Sequence, residues 1–200
     1  MEFDAVLFDI GGVLEVVESM DFSSKYEDLL GLPAGTIAVH TADLWPAGAL
    51  GLRTEDEIRR EMSLRINLSA AVVDEIFEDM WAQYLGTADI ELTNYLAGLR
   101  PRLRTGLLSN SFVGAREREE TAYGFSGLVD DIVYSHEVGI AKPDPEIYRL
   151  ACRRLDVDPT RTVFVDDAQI AVDGAAAVGM TTVLHHDTRS TIAQLDTLLA

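Results

Sequence analysis

Apolar residues in this chain fall into short dense runs separated by longer stretches in which they recur every three or four positions. Ala5-Val6-Leu7-Phe8, Thr105-Gly106-Leu107-Leu108, Ile132-Val133-Tyr134, Thr162-Val163-Phe164-Val165 and Thr181-Thr182-Val183-Leu184 are each bounded by turn or charged residues. Runs of this length without polar alternation predict strands buried on both faces, the habit of parallel sheets. Between them, Leu92 to Leu99 and Ile147 to Leu155 carry helical spacing. The alternation predicts an α/β fold with a doubly wound parallel sheet.

From about Val16 to Gly86 the strand pattern is missing and helix signals take over. Thr54-Glu55-Asp56-Glu57 has the spacing of a capping box, and Ser69 precedes the stripe Val72-Val73-Ile76-Phe77-Met80-Trp81. The stripe itself is packing surface. We expect a small all-helical unit over residues 16–86, inserted into an α/β core made of residues 1–15 and 87–200. Gly35 and the stretch from Pro46 to Gly51 read as loops within that unit. Function in it would sit on the His40 to Gly51 stretch, with His40, Trp45 and nearby Arg53 as candidates to touch a substrate. A lone His or Trp serves as readily in packing, and Arg53 as readily as a solvated charge.

Charge narrows the partners. A net charge of −18 repels a phosphodiester backbone, and no Lys/Arg cluster overrides it, so nucleic acid is not an expected partner. No apolar run approaches the roughly 20 residues of a membrane span, and Met1-Glu2-Phe3-Asp4 is acidic where a secretory signal would be basic. The expectation is a soluble cytoplasmic protein with no membrane partner and its oligomeric state open. The single cysteine, Cys152, excludes an intrachain disulfide and reads as a buried, inert thiol in a helix.

Four segments carry candidate chemistry, and three of them place a polar residue just after an apolar run. Asp9 follows the first run and is followed at once by Gly11-Gly12, a tight turn whose amides can approach an anion, although Asp before Gly is also an ordinary turn. Ser109-Asn110 closes the second run; its hydroxyl and backbone would face the same crevice, or cap a helix. Lys142 precedes Pro143-Asp144-Pro145, in which Asp144 can cap a helix that begins at Pro145. Asp166-Asp167 ends a further run, and two adjacent carboxylates there suit a magnesium ion unless they form a solvated loop.

In order and kind these segments resemble the motifs of the haloacid dehalogenase (HAD) superfamily, over most of the chain from Phe3 to about Leu184. The match is closest in Gly139-Ile140-Ala141-Lys142-Pro143-Asp144-Pro145-Glu146-Ile147-Tyr148. The resemblance implies a Rossmann-like core with a cap over the active site at the helical insert. It makes Asp9 the nucleophile that becomes a transient aspartyl phosphate, and Lys142 the cation that neutralises Asp9 and the transferring group. Ser109, Asn110, Lys142 and Gly12 would bind phosphate. Asp9, the Gly11 carbonyl and Asp167 would hold Mg2+, with Asp166 in the outer shell. The implied activity is a magnesium-dependent phosphatase acting on a small phosphorylated metabolite.

The chain departs from the family pattern twice. Many such phosphatases carry a second Asp two residues after the nucleophile as general acid and base; here Gly11 stands there. General acid–base assistance contributes roughly 10²–10⁴-fold, so its loss should slow alkyl esters most and aryl or acyl phosphates least. Where the family often has Asp or Asn four residues after Asp167, this chain has Ala171, and Asp173 would point elsewhere on a helix. Two other readings stay open: a metal-free 2-haloacid dehalogenase-like hydrolase, which the Asp166-Asp167 pair opposes, and a weakened HAD-like binding protein, which Gly11 and Ala171 favour.

Overall fold

The structure, a computed structural model, describes residues 3–100 and 102–200. All five apolar runs form strands. In chain order the elements begin with β1 (Ala5–Phe8) and a two-residue strand β2 (Glu15–Val16). Five helices follow: α1 (Phe22–Leu30), α2 (Thr36–Thr41), α3 (Leu44–Ala49), α4 (Glu55–Ile66) and α5 (Ala70–Leu85). The chain returns through β3 (Thr87–Ala88), α6 (Ile90–Leu99), β4 (Arg104–Ser109), α7 (Ala115–Tyr123), β5 (Asp131–Tyr134) and α8 (Ser135–Val138). It ends with α9 (Pro145–Leu155), β6 (Thr162–Asp166), α10 (Gln169–Ala177), β7 (Thr181–Leu184) and α11 (Thr188–Leu199).

The main sheet is parallel, in the order β5-β4-β1-β6-β7. Period-two alternation sorts β1 between two apolar layers. Val6 and Phe8 pack with Leu92 and Leu96 of α6 and Leu195 of α11, while Ala5 and Leu7 pack with Ile147, Tyr148 and Ala151 of α9 and Ala175 of α10. Helices therefore cover both faces. Because the chain leaves β1 for one side and later returns to the other, β1 lies at the switch point where open α/β sheets form a crevice beyond the strand ends.

The helical insert is built on the local signals. Thr54 and Glu57 form the reciprocal capping box of α4, and the Ser69 hydroxyl accepts from the Val72 N–H at the start of α5. Phe22, Ile37, Ile58, Phe77, Met80 and Trp81 make a third apolar cluster, which Phe112 and Ala115 complete from the other side. The insert thus shares its core with the segment after β4.

One expectation fails here. The Pro46 to Gly51 stretch is not simply a loop, because Leu44–Ala49 is helical. Pro46 sits in the first turn, where its missing N–H is not needed, and Gly48 lets Phe112 approach, since a Cβ there would stand 2.1 Å from its ring. The antiparallel β2·β3 ribbon, Glu15 opposite Ala88 and Val16 opposite Thr87, is too short for any periodicity to announce.

Candidate active site

Sheet register brings the acids together. Phe8 lies opposite Val165, and the Asp9 N–H donates to the Val165 carbonyl at 2.9 Å, so Asp9 and Asp166 leave neighbouring strands at the same level. Between them stands the Lys142 ammonium, its Nζ 2.7 Å from Asp9 Oδ1 and 2.6 Å from Asp166 Oδ2. All three residues are buried. Burial pushes the Asp9 carboxyl up to about 7, with Lys142 opposing the rise and Asp166 adding to it.

Lys142 is held from both ends. The Asn110 side chain clamps its backbone, Oδ1 accepting the Lys142 N–H at 2.7 Å and Nδ2 donating to its carbonyl at 2.9 Å. The Lys142–Pro143 peptide is cis. Asp144 caps α9 by accepting the Glu146 N–H at 2.9 Å, with Pro145 at the first helical position. The chain is thereby anchored on either side of the lysine, and the ammonium reaches inward over the Phe164 ring at 5.6 Å.

The second acid of the pair differs from the first. Asp166 has both oxygens engaged, Oδ2 by Lys142 and Oδ1 by the Ala168 N–H at 2.8 Å. Asp167 is exposed. Oxygens of Asp9, Asp166 and Asp167 all lie within 4.8 Å of one another, a hard oxygen set that fits magnesium in kind. Gly12 makes this approach possible: at φ +79° it turns the chain under Asp167, and a Cβ would stand 2.4 Å from Asp167 Oδ2. Gly11 faces open space.

Ser109 is buried at the end of β4 and Asn110 is exposed just beyond it. Neither caps a helix, because α7 begins at Ala115 with Gly114 as its cap. Gly12 does not offer the free amide expected of it, since its N–H donates to the Glu15 carbonyl at 2.8 Å. Ala171 is buried and its carbonyl accepts the Tyr148 hydroxyl at 2.8 Å, while Asp173 turns to Gln169. In the insert, Trp45 donates to the Thr41 hydroxyl at 2.8 Å and packs its ring among Phe22, Phe77 and Phe112, which is a packing role. His40 is exposed at the end of α2, its carbonyl accepting from Arg65, and Arg53 is half-buried in the turn before α4.

Several residues escaped the sequence reading. Ser135 accepts the Ser111 N–H at 2.9 Å and donates to the Ala49 carbonyl at 2.8 Å, and the Ser111 hydroxyl meets His136 Nδ1 at 2.7 Å. These contacts, with Gly51 against the His136 carbonyl, dock α3 onto the strand ends. Glu15 and Glu119 are wholly buried beside Asp9, Glu119 accepting the Tyr134 hydroxyl at 2.6 Å. The signal for Glu15 was present as a charge inside the apolar run Val13-Leu14-Glu15-Val16-Val17.

The chain is similar to known proteins over most of its length. A curated phosphatase of Mycobacterium tuberculosis is 31% identical over 195 residues, spanning 90% of this chain and 86% of that protein. D-ribitol-5-phosphate phosphatase of Bacteroides thetaiotaomicron is 24% identical over 186 residues, 88% of this chain and 89% of that one. The crystal structure of a HAD family enzyme from the same bacterium superposes with a TM-score of 0.80 at 22% identity, covering 93% of this chain and 95% of that one. A structure of that enzyme with magnesium and inorganic phosphate superposes with a TM-score of 0.74. The profile of haloacid dehalogenase-like hydrolases matches residues 3–179, and the chain belongs to that family.

Proposed function

We propose that this HAD-like hydrolase is a magnesium-dependent phosphatase that removes phosphate from a small phosphorylated metabolite through an aspartyl phosphate at Asp9. One observation carries the reading. A buried ammonium joins Asp9 to Asp166 while a third carboxylate, Asp167, converges on the same point with no cation paired to it among the described residues. A metal-free dehalogenase has no use for that third acid.

Asp9 attacks phosphorus, its carboxylate kept in position by Lys142. The same ammonium offsets charge on the phosphoryl oxygens, with the Ser109 hydroxyl and the Asn110 backbone completing the cradle. Asp9, Asp167 and the Gly11 carbonyl hold the magnesium ion, and Asp166, its oxygens already engaged, fixes Lys142 from behind. Bound there, the ion supplies positive charge to a transferring group that the acidic chain would otherwise repel. Residues 16–86 act as the cap and residues 1–15 and 87–200 as the core.

The test is release of phosphate from para-nitrophenyl phosphate with and without magnesium, with chloroacetate run in parallel. Magnesium-dependent phosphate release that disappears in Asp9→Asn is the expected result. Chloride release without metal would overturn it in favour of dehalogenation, and silence on both substrates in favour of a binding protein.

A further inference from the structure

The strand that ends at the Asp9 crevice begins beside a basic hollow. Arg100, Arg102 and Arg104 fall within five positions of a chain that carries 16 Lys and Arg against 34 Asp and Glu. After α6 ends at Leu99, the N–H groups of Arg102 and Leu103 both donate to the Leu99 carbonyl at 3.0 Å, and β4 begins at Arg104. This turn wraps the three arginines around one cavity of about 330 Å³, whose wall Asp4, Leu103 and Asp130 complete.

The cavity lies at the opposite end of the sheet from the candidate active site. The Arg104 N–H donates to the Asp4 carbonyl at 2.8 Å, so the hollow sits where β1 and β4 start, whereas Asp9 and Ser109 stand where they finish. Five residues of extended chain separate Asp4 from Asp9, about 17 Å by the rise of a parallel strand.

The acids of the wall are already engaged. Both oxygens of Asp4 accept from Arg161. Asp130 accepts the Thr105 N–H at 2.9 Å on Oδ2 and Arg100 Nε at 3.3 Å on Oδ1. Arg104 is 62% exposed, and its Nη1 stands 3.8 Å from Asp130 Oδ1, beyond hydrogen-bond distance. Arg102 donates to the Leu199 carbonyl at 3.4 Å, and Asp196, which lines a separate cavity beside it, accepts the Tyr95 hydroxyl. Among the described residues no carboxylate pairs with Arg102, and the Arg104 side chain makes no hydrogen bond. The wall therefore holds more positive charge than its acids offset.

Like charges gathered in a hollow repel one another and are stabilised when an anion lies between them. A guanidinium fork matches phosphate oxygens bidentately, and several forks around one hollow suit adjacent phosphates better than a single one. The volume lies within the roughly 300–1,000 Å³ of small-molecule sites. Three arginines do not offset a net charge of −18 along a nucleic-acid backbone, but they suffice for one compact anion. We infer that this cavity is a second anion site, separate from the Asp9 crevice, which takes a short run of adjacent phosphates, either free oligophosphate or the phosphate tail of a nucleotide. Arg102 and Arg104 supply the binding charge. Arg100, held by Asp130 and by the Gly127 carbonyl at 3.1 Å, fixes the rim.

The experiment titrates the full chain with tripolyphosphate, ATP and orthophosphate by calorimetry and thermal unfolding, in metal-free buffer at low ionic strength so that surface charge is not screened and no metal recruits phosphate to Asp9. Wild type is compared with Arg102→Gln/Arg104→Gln and with Arg60→Gln/Arg153→Gln, which removes the same charge from exposed helix surface elsewhere. The expected result is one tripolyphosphate per chain and a rise in Tm on binding. Affinity should fall at least about tenfold in Arg102→Gln/Arg104→Gln and hold in the control, since each lost charge-assisted hydrogen bond is worth more than that factor. Arg104→Gln alone, which removes no hydrogen bond of the fold, should itself weaken binding. ATP binding tighter than tripolyphosphate would assign the nucleotide tail, and the reverse the free oligophosphate; both support the site. No saturable binding, orthophosphate binding as tightly as tripolyphosphate, equal losses in the two double variants, or binding unchanged in Arg102→Gln/Arg104→Gln would each overturn it.

Discussion

The end of β1 separates two buried sets of acids that the fold treats in opposite ways. Toward β6, Asp9 and Asp166 share the Lys142 ammonium at hydrogen-bond distance. Toward β2 and α7, both oxygens of Glu15 and one of Glu119 have no hydrogen-bond partner among the described residues. Burial pushes Glu15 up to about 9, with Glu119 and Asp9 adding to the rise. It pushes Glu119 up to about 7, against the Tyr134 hydroxyl and with Asp9 adding. Burying a carboxylate is unfavourable unless something compensates it. On the Lys142 side a fixed cation opposes the rise in the Asp9 carboxyl; on the other side no cation meets Glu15 among the described residues, and a bound proton removes its charge.

Removing the cation should break this contrast most severely. Lys142→Met leaves Asp9 and Asp166 buried with no partner charge, and breaking a buried pair in this way costs about 3–5 kcal/mol. Urea denaturation at pH 7 measures the loss. Adding Asp166→Asn to Lys142→Met should recover part of it, because one of the stranded charges is gone. A loss under about 1 kcal/mol, the range of exposed pairs, would mean that the ammonium is not what makes the two acids tolerable.

A neighbouring pair of glycines sharpens the same contrast with a smaller effect. Gly12→Ala puts a methyl group against Asp167 at a positive φ, a conformation that costs an L-residue roughly 1–2 kcal/mol before the clash is added. Gly11→Ala meets nothing and should stay within about 0.5 kcal/mol of wild type. The decisive readout is the rise in Tm on adding magnesium. It should shrink in Gly12→Ala, where Asp167 is displaced, and persist in Gly11→Ala; equal rises in both would separate Asp167 from the metal site.

The Lys142 side was legible because Asp9, Ser109 and Asp166-Asp167 each sit at the end of a strand that its own apolar run announces. The parallel sheet aligns those three strand ends, and Lys142, which lies beyond α8 in the turn before α9, was readable from the Asp144-Pro145 start of that helix. The other side was not legible, because its partners come from elements far apart in the chain. Glu15 comes within electrostatic reach of Glu119 only after the β2·β3 ribbon closes the helical insert, and that ribbon is two residues long. The Asn110 clamp was hidden for the same reason: its side chain binds backbone 32 residues away. In α3, tertiary packing of Gly48 against Phe112 overrode the loop signal of Pro46 and its neighbouring glycines.

The smallest expected effect tests whether protons alone support the unpaired side. The folded-state values of Glu15 and Glu119, about 9 and about 7, lie above the ordinary 4.5 of an exposed glutamate. The native state therefore holds protons that the unfolded chain releases, and stability falls as pH rises wherever that difference exists. The contribution is fully present below about pH 4.5, is lost as pH rises through about 7 for Glu119, and is gone above about 9 once Glu15 ionises too. Glu15→Leu removes the larger part of this dependence and leaves Glu119 with one carboxylate fewer beside it. Its Tm should match or trail wild type at pH 5, where the acid is neutral. At pH 8.5 it should exceed wild type by several degrees, at about 2–4 °C for each kcal/mol recovered in a chain of this size. Parallel Tm curves from pH 5 to 9 would show that the two acids already have a partner other than a proton, and the contrast between the two sides of β1 would fall.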